Sequence, residues 1–450
     1  MSVDTPARSA RPQRNLPLHR LLPMVVRAPL EGLADVAREA GGEIVRLDVG
    51  PFRPYLLSHP DHLQHALRGD WTSYLRKGMF WKPIERLLGD SVIGEGPGWA
   101  ASRKVLQPLF TSRYVTSLTA DMAATIDEGL DELTPDVPID AMDQMNRIVT
   151  RAVISVLFGD RISPREAEVL GPAYTVANTS FGFRIALPFV PDRVPLPGDR
   201  AFMGARQVID DVIYPLIRQA RREKSDGPDI ISALVRARDD EGRELTDVKL
   251  RDDLASIYGA AAETTAVALT WLWPILHSHP EVAAKLYAEI DEVTGDGPVD
   301  GETLPKLRYL NMVLREMLRL YPSGWAMPRM VVKTHEIGGV TIRAGSQVLI
   351  SPYVTHRLDE FWPDPLTFDP SRFDPDKENR RNRYSYLPFG AGPHQCLGQH
   401  LFYIEAPLLI AGLLKRFRPE LITEGPFPVQ PAGTLRSRKK IEMILRPVNK

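Results

Sequence analysis

A mainly α-helical fold with small β-sheets is what this sequence predicts, on three observations. Apolar residues recur at three- and four-residue spacing over most of the chain. One such pattern, residues 246–277, runs for some 30 residues, about as long as a domain is wide. The few strand-like runs do not alternate with helices as a parallel α/β sheet requires. In chain order, Glu43–Leu47 and Tyr55–Leu57, separated by Gly50-Pro51, read as short strands. Residues 99–109, 117–133, 143–157, 164–170 and 201–225 read as helices. Between the last two lies an aromatic, proline-broken stretch, 181–195, expected to be a mobile apolar flap. The pattern over 246–277 is apolar on several faces through Leu250, Leu254, Ile257, Ala260, Ala261, Val267 and Trp271, which suits a buried helix. Helices over 280–294 and 307–320, strands over 331–342 and 347–351, and a helix over 398–417 complete the set. The 40 prolines among 450 residues exceed the usual share of roughly 5% and predict helices that are often stopped.

Composition narrows the function. With 56 Lys+Arg against 57 Asp+Glu, the formal net charge is −1, which excludes a chain built to coat nucleic acid. The single cysteine, Cys396, excludes an intrachain disulfide and any all-cysteine metal site within one chain. No segment supplies the roughly 20 apolar residues of a membrane span, and residues 1–15 lack the apolar core of a secretory signal. These fifteen residues read as a flexible N-terminal arm, and 16–450 as one domain of a cytoplasmic protein.

The most informative stretch is Phe389-Gly-Ala-Gly-Pro-His-Gln-Cys-Leu-Gly398, followed at once by a helical run. Glycines at 390, 392 and 398 permit close approach to something flat. Cys396 sits just before the helix, where free N–H groups and the helix dipole favour a thiolate, and a thiolate so held is a good axial ligand for haem iron. The same residues also admit a small buried hydrophobe, a metal site with His394 and His400, or a Cys396–His394 nucleophile.

Residues 389–398 resemble the haem-binding signature of the cytochrome P-450 superfamily, Phe-x-x-Gly-x-[Arg/His]-x-Cys-x-Gly, at every defining position. Other motifs follow in family order. Glu316 and Arg319, three apart and so on one helical face, resemble the family's Glu-x-x-Arg helix. Arg372, in Phe-Asp-Pro-Ser-Arg-Phe, resembles the arginine that completes that structural triad. Ala260-Ala-Ala-Glu263-Thr264-Thr265 resembles the oxygen-activating stretch, with Ala261 standing where glycine is usual. Trp99-x-x-x-Arg103 and Arg329 resemble the residues that meet the haem propionates.

The resemblance implies a soluble bacterial-type monooxygenase with the cytochrome P-450 fold, its long central helix over haem b. Cys396 is then the axial thiolate, and His394 meets a propionate. Phe389 lies near the sulfur. Glu263 and Thr264 are the acid–alcohol pair that manages protons, in a stretch where the family's helix loosens. It further implies insertion of one oxygen atom from O2 into a C–H bond or alkene of a lipophilic, terpenoid or polyketide-like molecule, in specialised biosynthesis. Electrons come from an external ferredoxin or flavoprotein, for which Arg103, Lys104, Arg113, Arg380, Arg381 and Arg383 offer a basic surface. Phe80, Phe181, Ile257, Ala260, Ala261, Trp325 and Ala326 are the expected pocket residues. A haem-thiolate isomerase or peroxygenase and a non-catalytic haem sensor are the other functions compatible with these motifs; retention of Glu263 and Thr264 favours the monooxygenase.

Overall fold

The computed structural model describes residues 14–17, 19–20, 24, 28–48, 52–180, 183–184, 190–191, 193–224, 226–227, 229–239, 241–375 and 381–448. The chain folds as two compact units, each built from two stretches of sequence.

The first unit comprises residues 1–78 and 318–396 and is built on a six-stranded mixed sheet. Its strands, in spatial order, are Arg14–Leu16, Val45–Leu47, Tyr55–Leu57, Gln347–Ile350, Met327–Val331 and Tyr74–Leu75. Arg14 and Asn15, expected in the flexible arm, begin the edge strand, paired in parallel with Val45 and Arg46. The run read as a strand over 331–342 divides into the end of Met327–Val331 and a hairpin, His335–Ile337 with Val340–Ile342. Gly338 and Gly339 turn that hairpin with positive φ. One face of the sheet buries Leu57, Leu63, Leu67, Tyr74, Val331, Ile342, Val348 and Ile350 as a continuous apolar cluster.

Two charged or titratable side chains lock the rest of this unit. Arg319 is fully buried and donates to the carbonyls of His356 (2.9 Å), Pro365 (2.7 Å) and Thr367 (3.0 Å). His356 is also fully buried; its Nδ1 lies 3.0 Å from the Arg319 carbonyl, and its Nε2 accepts the Leu387 N–H at 2.8 Å. A carbonyl on one side and an N–H on the other require a neutral ring with the proton on Nδ1. Burial pushes its pKa down to about 3, in accord with that tautomer. The ring thus fastens the end of the helix Arg308–Leu320 to the chain entering the cysteine loop.

The second unit, residues 79–317 and 397–450, is largely helical. Its axis is the helix Asp247–Thr270, capped by the Thr246 hydroxyl, which accepts from the Lys249 N–H. The pattern read as one helix over 246–277 is interrupted at Trp271, and Leu272–Ser278 follows as a separate helix. Pro274 explains the interruption, because it has no N–H to give the carbonyl of Thr270. Pro164–Thr179, opened by a Ser163/Glu166 capping box, runs nine residues beyond its expected end at 170 despite Pro172. Ala141–Phe158 and Asp199–Glu223 pack along the long helix. Three strands, Phe417–Leu421, Glu442–Pro447 and Pro138–Asp140, and the hairpin Val429–Pro431 with Leu435–Ser437 form its β portion. No helix among the described residues is long and apolar enough to cross a membrane.

Candidate active site

The cysteine loop belongs to the first unit. Gly390 and Gly392 adopt φ of 68° and 73°, where a side chain is strained. A Cβ on Gly392 would stand 1.8 Å from the carbonyl oxygen of Leu67, so the loop lies backbone against backbone on the π-helical turn His65–Gly69. Gly398 has an ordinary φ of −75°, so positive φ is not what selects glycine there. The Cys396 N–H donates to the Phe389 carbonyl at 2.9 Å, closing the loop, and Cys396 itself is exposed three residues before the start of the helix Gln399–Arg416. His394 is buried, its ring set edge-on to Trp71 at 5.4 Å, and its carbonyl accepts from Arg76 Nη2 at 2.9 Å. Arg329 is buried on the strand Met327–Val331, where its Nη1 donates to the Pro328 carbonyl at 2.8 Å. Trp325 and Ala326 precede that strand half-buried, with the Trp325 carbonyl fixed by the Ser351 hydroxyl at 2.6 Å.

The second unit carries the acid–alcohol pair. The long helix is buried from Leu250 to Tyr258 and again from Thr265 to Leu276, yet between them Gly259–Ala261, Glu263 and Thr264 stay open. The helix is unbroken through Ala260–Thr265, so the loosening that the family resemblance implied is absent. Thr264 Oγ1 donates to the Ala260 carbonyl at 2.6 Å, the usual back-bond of a threonine in a helix. Glu263 is pinned from two elements. Its Oε1 accepts from Thr434 (2.7 Å) and pairs with Arg436 (2.7 Å), and its Oε2 accepts from Asn178 at 3.2 Å. The hairpin carrying Thr434 and Arg436 is itself anchored by Trp271 Nε1, which donates to the Leu435 carbonyl at 2.8 Å.

The helix Pro97–Leu106, bearing buried Trp99 and half-buried Arg103, is tied to the long helix by charges that motif reading passed over. Asp253 accepts from the Ser102 hydroxyl (2.7 Å) and the Val92 N–H (3.0 Å), while Lys249 reaches the carbonyls of Gly98 and Asp90. Burial pushes the Asp253 carboxyl up to about 6. Asp252 accepts the Asp90 N–H at 3.1 Å and pairs with buried Arg251. Two adjacent acids, Asp252 and Asp253, in a helix with apolar residues on several faces were the available signal.

Of the other expected site residues, Ile257 is buried and Phe80 half-buried in the second unit. Phe181 lies outside the described residues, as does Arg380. Arg381 stacks over Trp362 at 4.0 Å and so has a packing role, whereas Lys104, Arg113 and Arg383 are exposed. Glu316 is fully buried, and Arg372, half-buried, donates to the Asp364 carbonyl at 3.1 Å.

Glu405 was also missed. It is buried in the helix Gln399–Arg416, near Thr265, and among the described residues its Oε1 has no hydrogen-bond partner. Burial pushes its pKa up to about 8, against a weaker opposing hydrogen bond from Thr265. Because the folded state holds this proton more tightly than the unfolded chain, its contribution is fully present below about pH 4.5 and is lost as pH rises towards 8. Glu405→Gln, which mimics the protonated acid, is expected to flatten that decline. It should raise stability at pH 8.5 on the order of a few kcal/mol, read as a higher Tm than the parent chain at that pH and a smaller difference at pH 5.

The family model for cytochrome P450 matches residues 11–445. A cyclooctat-9-en-7-ol 5-monooxygenase of Streptomyces melanosporofaciens is 31% identical over 427 residues, covering 92% of each chain. Cyclooctatin synthase of the same organism is 31% identical over 96% of this chain and 93% of its own, and pentalenene oxygenase of Streptomyces avermitilis is 28% identical over 88% and 87%. Among solved structures, the haem domain of cytochrome P450DA superposes with a TM-score of 0.87 over 98% of this chain and 99% of that one, at 22% identity.

Proposed function

This chain belongs to the cytochrome P450 family of haem-thiolate monooxygenases, and from that premise we propose that it inserts one oxygen atom from O2 into a C–H bond or alkene of an apolar terpenoid, with haem b as its cofactor. The observation that carries the catalytic part is the open strip on the long helix: beyond the first turn, in a helix otherwise buried from Leu250 to its end, the few uncovered residues include the acid and the alcohol. The terpenoid part is supported by two relatives whose names specify cyclooctat-9-en-7-ol and pentalenene.

The residues fit the cofactor. An exposed thiol stands on a loop whose glycines admit close approach, just before a helix N-terminus that favours the thiolate. Cys396 would hold the iron, and His394, Arg329, Trp99 and Arg103 would meet the propionates, which need cationic or donor partners in a low-polarity interior. Once bound, the haem supplies the redox chemistry that activates dioxygen, with the thiolate's electron donation favouring O–O cleavage.

The protein's part is to deliver protons to the open strip. With its own hydrogen on the Ala260 carbonyl, the Thr264 oxygen accepts from a donor in the strip, and rotation about χ1 turns the same hydroxyl into a donor. Glu263 passes protons through water at its carboxylate, and Arg436, Thr434 and Asn178 fix where that carboxylate stands. Ala260 and Ala261 leave room for substrate; Ile257 and Phe80 supply apolar wall. Electrons arrive from a separate ferredoxin or flavoprotein, for which exposed Lys104, Arg113 and Arg383 offer positive charge.

The test is turnover of terpene hydrocarbons and alcohols with a reductase–ferredoxin pair under labelled dioxygen. One labelled oxygen atom in the product, dependent on reductant and without added peroxide, supports the proposal; turnover by peroxide alone, or isomerisation without label, refutes it. Glu263→Gln is expected to lower product formation by about 100-fold and to enlarge the solvent isotope effect. Arg436→Gln, which leaves the carboxylate in place but without its ion pair, should give a smaller loss in the same direction, and Arg436→Lys a partial recovery. Equal turnover in all four proteins would remove Glu263 from proton delivery.

A further inference from the structure

Outside the cysteine loop and the open strip, the first unit gathers a second set of ligating side chains. His65, Asp70 and His335 each offer a ligand atom, and these atoms lie within 4.8 Å of one another. His65 opens the π-helical turn His65–Gly69, which closes with the Asp70 N–H on the His65 carbonyl at 2.8 Å. One backbone turn therefore presents both an imidazole and a carboxylate. His335 begins the hairpin strand His335–Ile337, and its ring lies 5.8 Å from that of His65. Tyr74, on the edge strand paired with Met327–Val331, brings its hydroxyl to 2.5 Å from His335 Nε2.

We propose that His65, Asp70 and His335 form a zinc site, with the Tyr74 hydroxyl or a water as the fourth ligand. Two features carry it. The ring of His335 is oriented from behind, Nδ1 facing the Lys333 carbonyl at 2.8 Å; that carbonyl holds the proton on Nδ1 and leaves the lone pair on Nε2, the arrangement that metal-ligating histidines share. His65 has a buried Nε2 with no hydrogen-bond partner among the described residues, a desolvated polar atom that a further group would satisfy. Two imidazoles with one carboxylate and an oxygen donor suit zinc in tetrahedral geometry, and not magnesium or calcium, which take oxygen ligands. Binding displaces the Tyr74–His335 hydrogen bond, and the freed phenol is placed to complete the shell.

The site would act on the cysteine loop through the turn it clamps. Leu67, in that turn, is the residue whose carbonyl lies under Gly392, and Trp71, just after Asp70, packs on His394. Zinc would therefore join the turn, the edge strand and the hairpin at the base of the loop.

The test uses the haem-loaded protein, freed of adventitious metal with a chelator and titrated with zinc chloride against a chromophoric competitor. The parent protein should take up one zinc per chain with a Kd of about 1 μM or tighter, and its Tm should rise. His335→Gln and Asp70→Asn should each weaken binding by about 100-fold and abolish the rise in Tm; an unchanged reduced, carbon-monoxide-bound spectrum shows that each variant retains its haem loop. His65→Ala serves where His335→Gln does not yield holoprotein. No stoichiometric uptake by the parent, or uptake that none of these variants alters, overturns the proposal.

Discussion

Cys396→Ser gives a protein whose reduced, carbon-monoxide-bound spectrum lacks the strongly red-shifted Soret band, and whose oxygenation falls by at least about a thousandfold, roughly 4 kcal/mol of barrier. Cys396 is the only thiol in the chain, so no neighbour can take its place. The loop that presents it is fixed by its own backbone: the Cys396 N–H on the Phe389 carbonyl, positive φ at Gly390 and Gly392, and the contact of Gly392 with Leu67. None of these involves the sulfur, so the variant should fold and lose only the electronic contribution of the thiolate. Absorbance spectroscopy and product analysis on the same preparation read both effects. Retention of the red-shifted band would move the ligand elsewhere.

Arg319→Ala is expected to abolish recovery of folded holoprotein, the largest effect on stability of any single change considered. Its guanidinium, fully buried, satisfies three carbonyls that lie 37 to 48 residues from it in sequence and stacks 5.0 Å from the ring of Trp362. Removing it leaves those carbonyls buried without their donor, at about 1–3 kcal/mol each, against a total stability of roughly 5–15 kcal/mol for a typical domain. Arg319→Lys keeps the charge but cannot reproduce the planar fork, and should yield a small amount of protein with a markedly lower Tm. Soluble yield, haem content and thermal unfolding measure both variants. A stable Arg319→Ala protein with full haem content would show that the buried fork is dispensable.

The contiguous chemistry was legible in the sequence. The cysteine loop needs its glycines, histidine and thiol within ten residues, so its pattern survives in a single chain, and the acid–alcohol pair occupies adjacent positions. Helix periodicity placed 280–294 as observed and 143–157 and 201–225 to within two residues at each end. It fell short at 164–170: that helix continues through Pro172 to Thr179. Contacts between distant segments were not legible. Arg436 and Thr434 lie more than 170 residues from Glu263, and nothing local to either marks them as its partners. Glu405 did leave a trace, as an acid among Leu401, Phe402, Ala406, Leu408 and Leu409, all buried. The strand Tyr74–Leu75 is two residues long, too short for any alternation to show.

Beyond its first turn, the long helix is uncovered only between Gly259 and Thr264, a rise of about 8 Å. A library meant to change which terpene is accepted therefore has two natural positions there, Ala260 and Ala261, since their neighbours along the strip are a glycine and the catalytic pair. Ala260 is exposed and Ala261 half-buried, so side chains added at those two displace little packed interior and should have little effect on folding. Elsewhere along the helix the same diversification would enter close-packed core, where truncating a large aliphatic residue costs about 2–5 kcal/mol and most library members would be lost before they could be assayed.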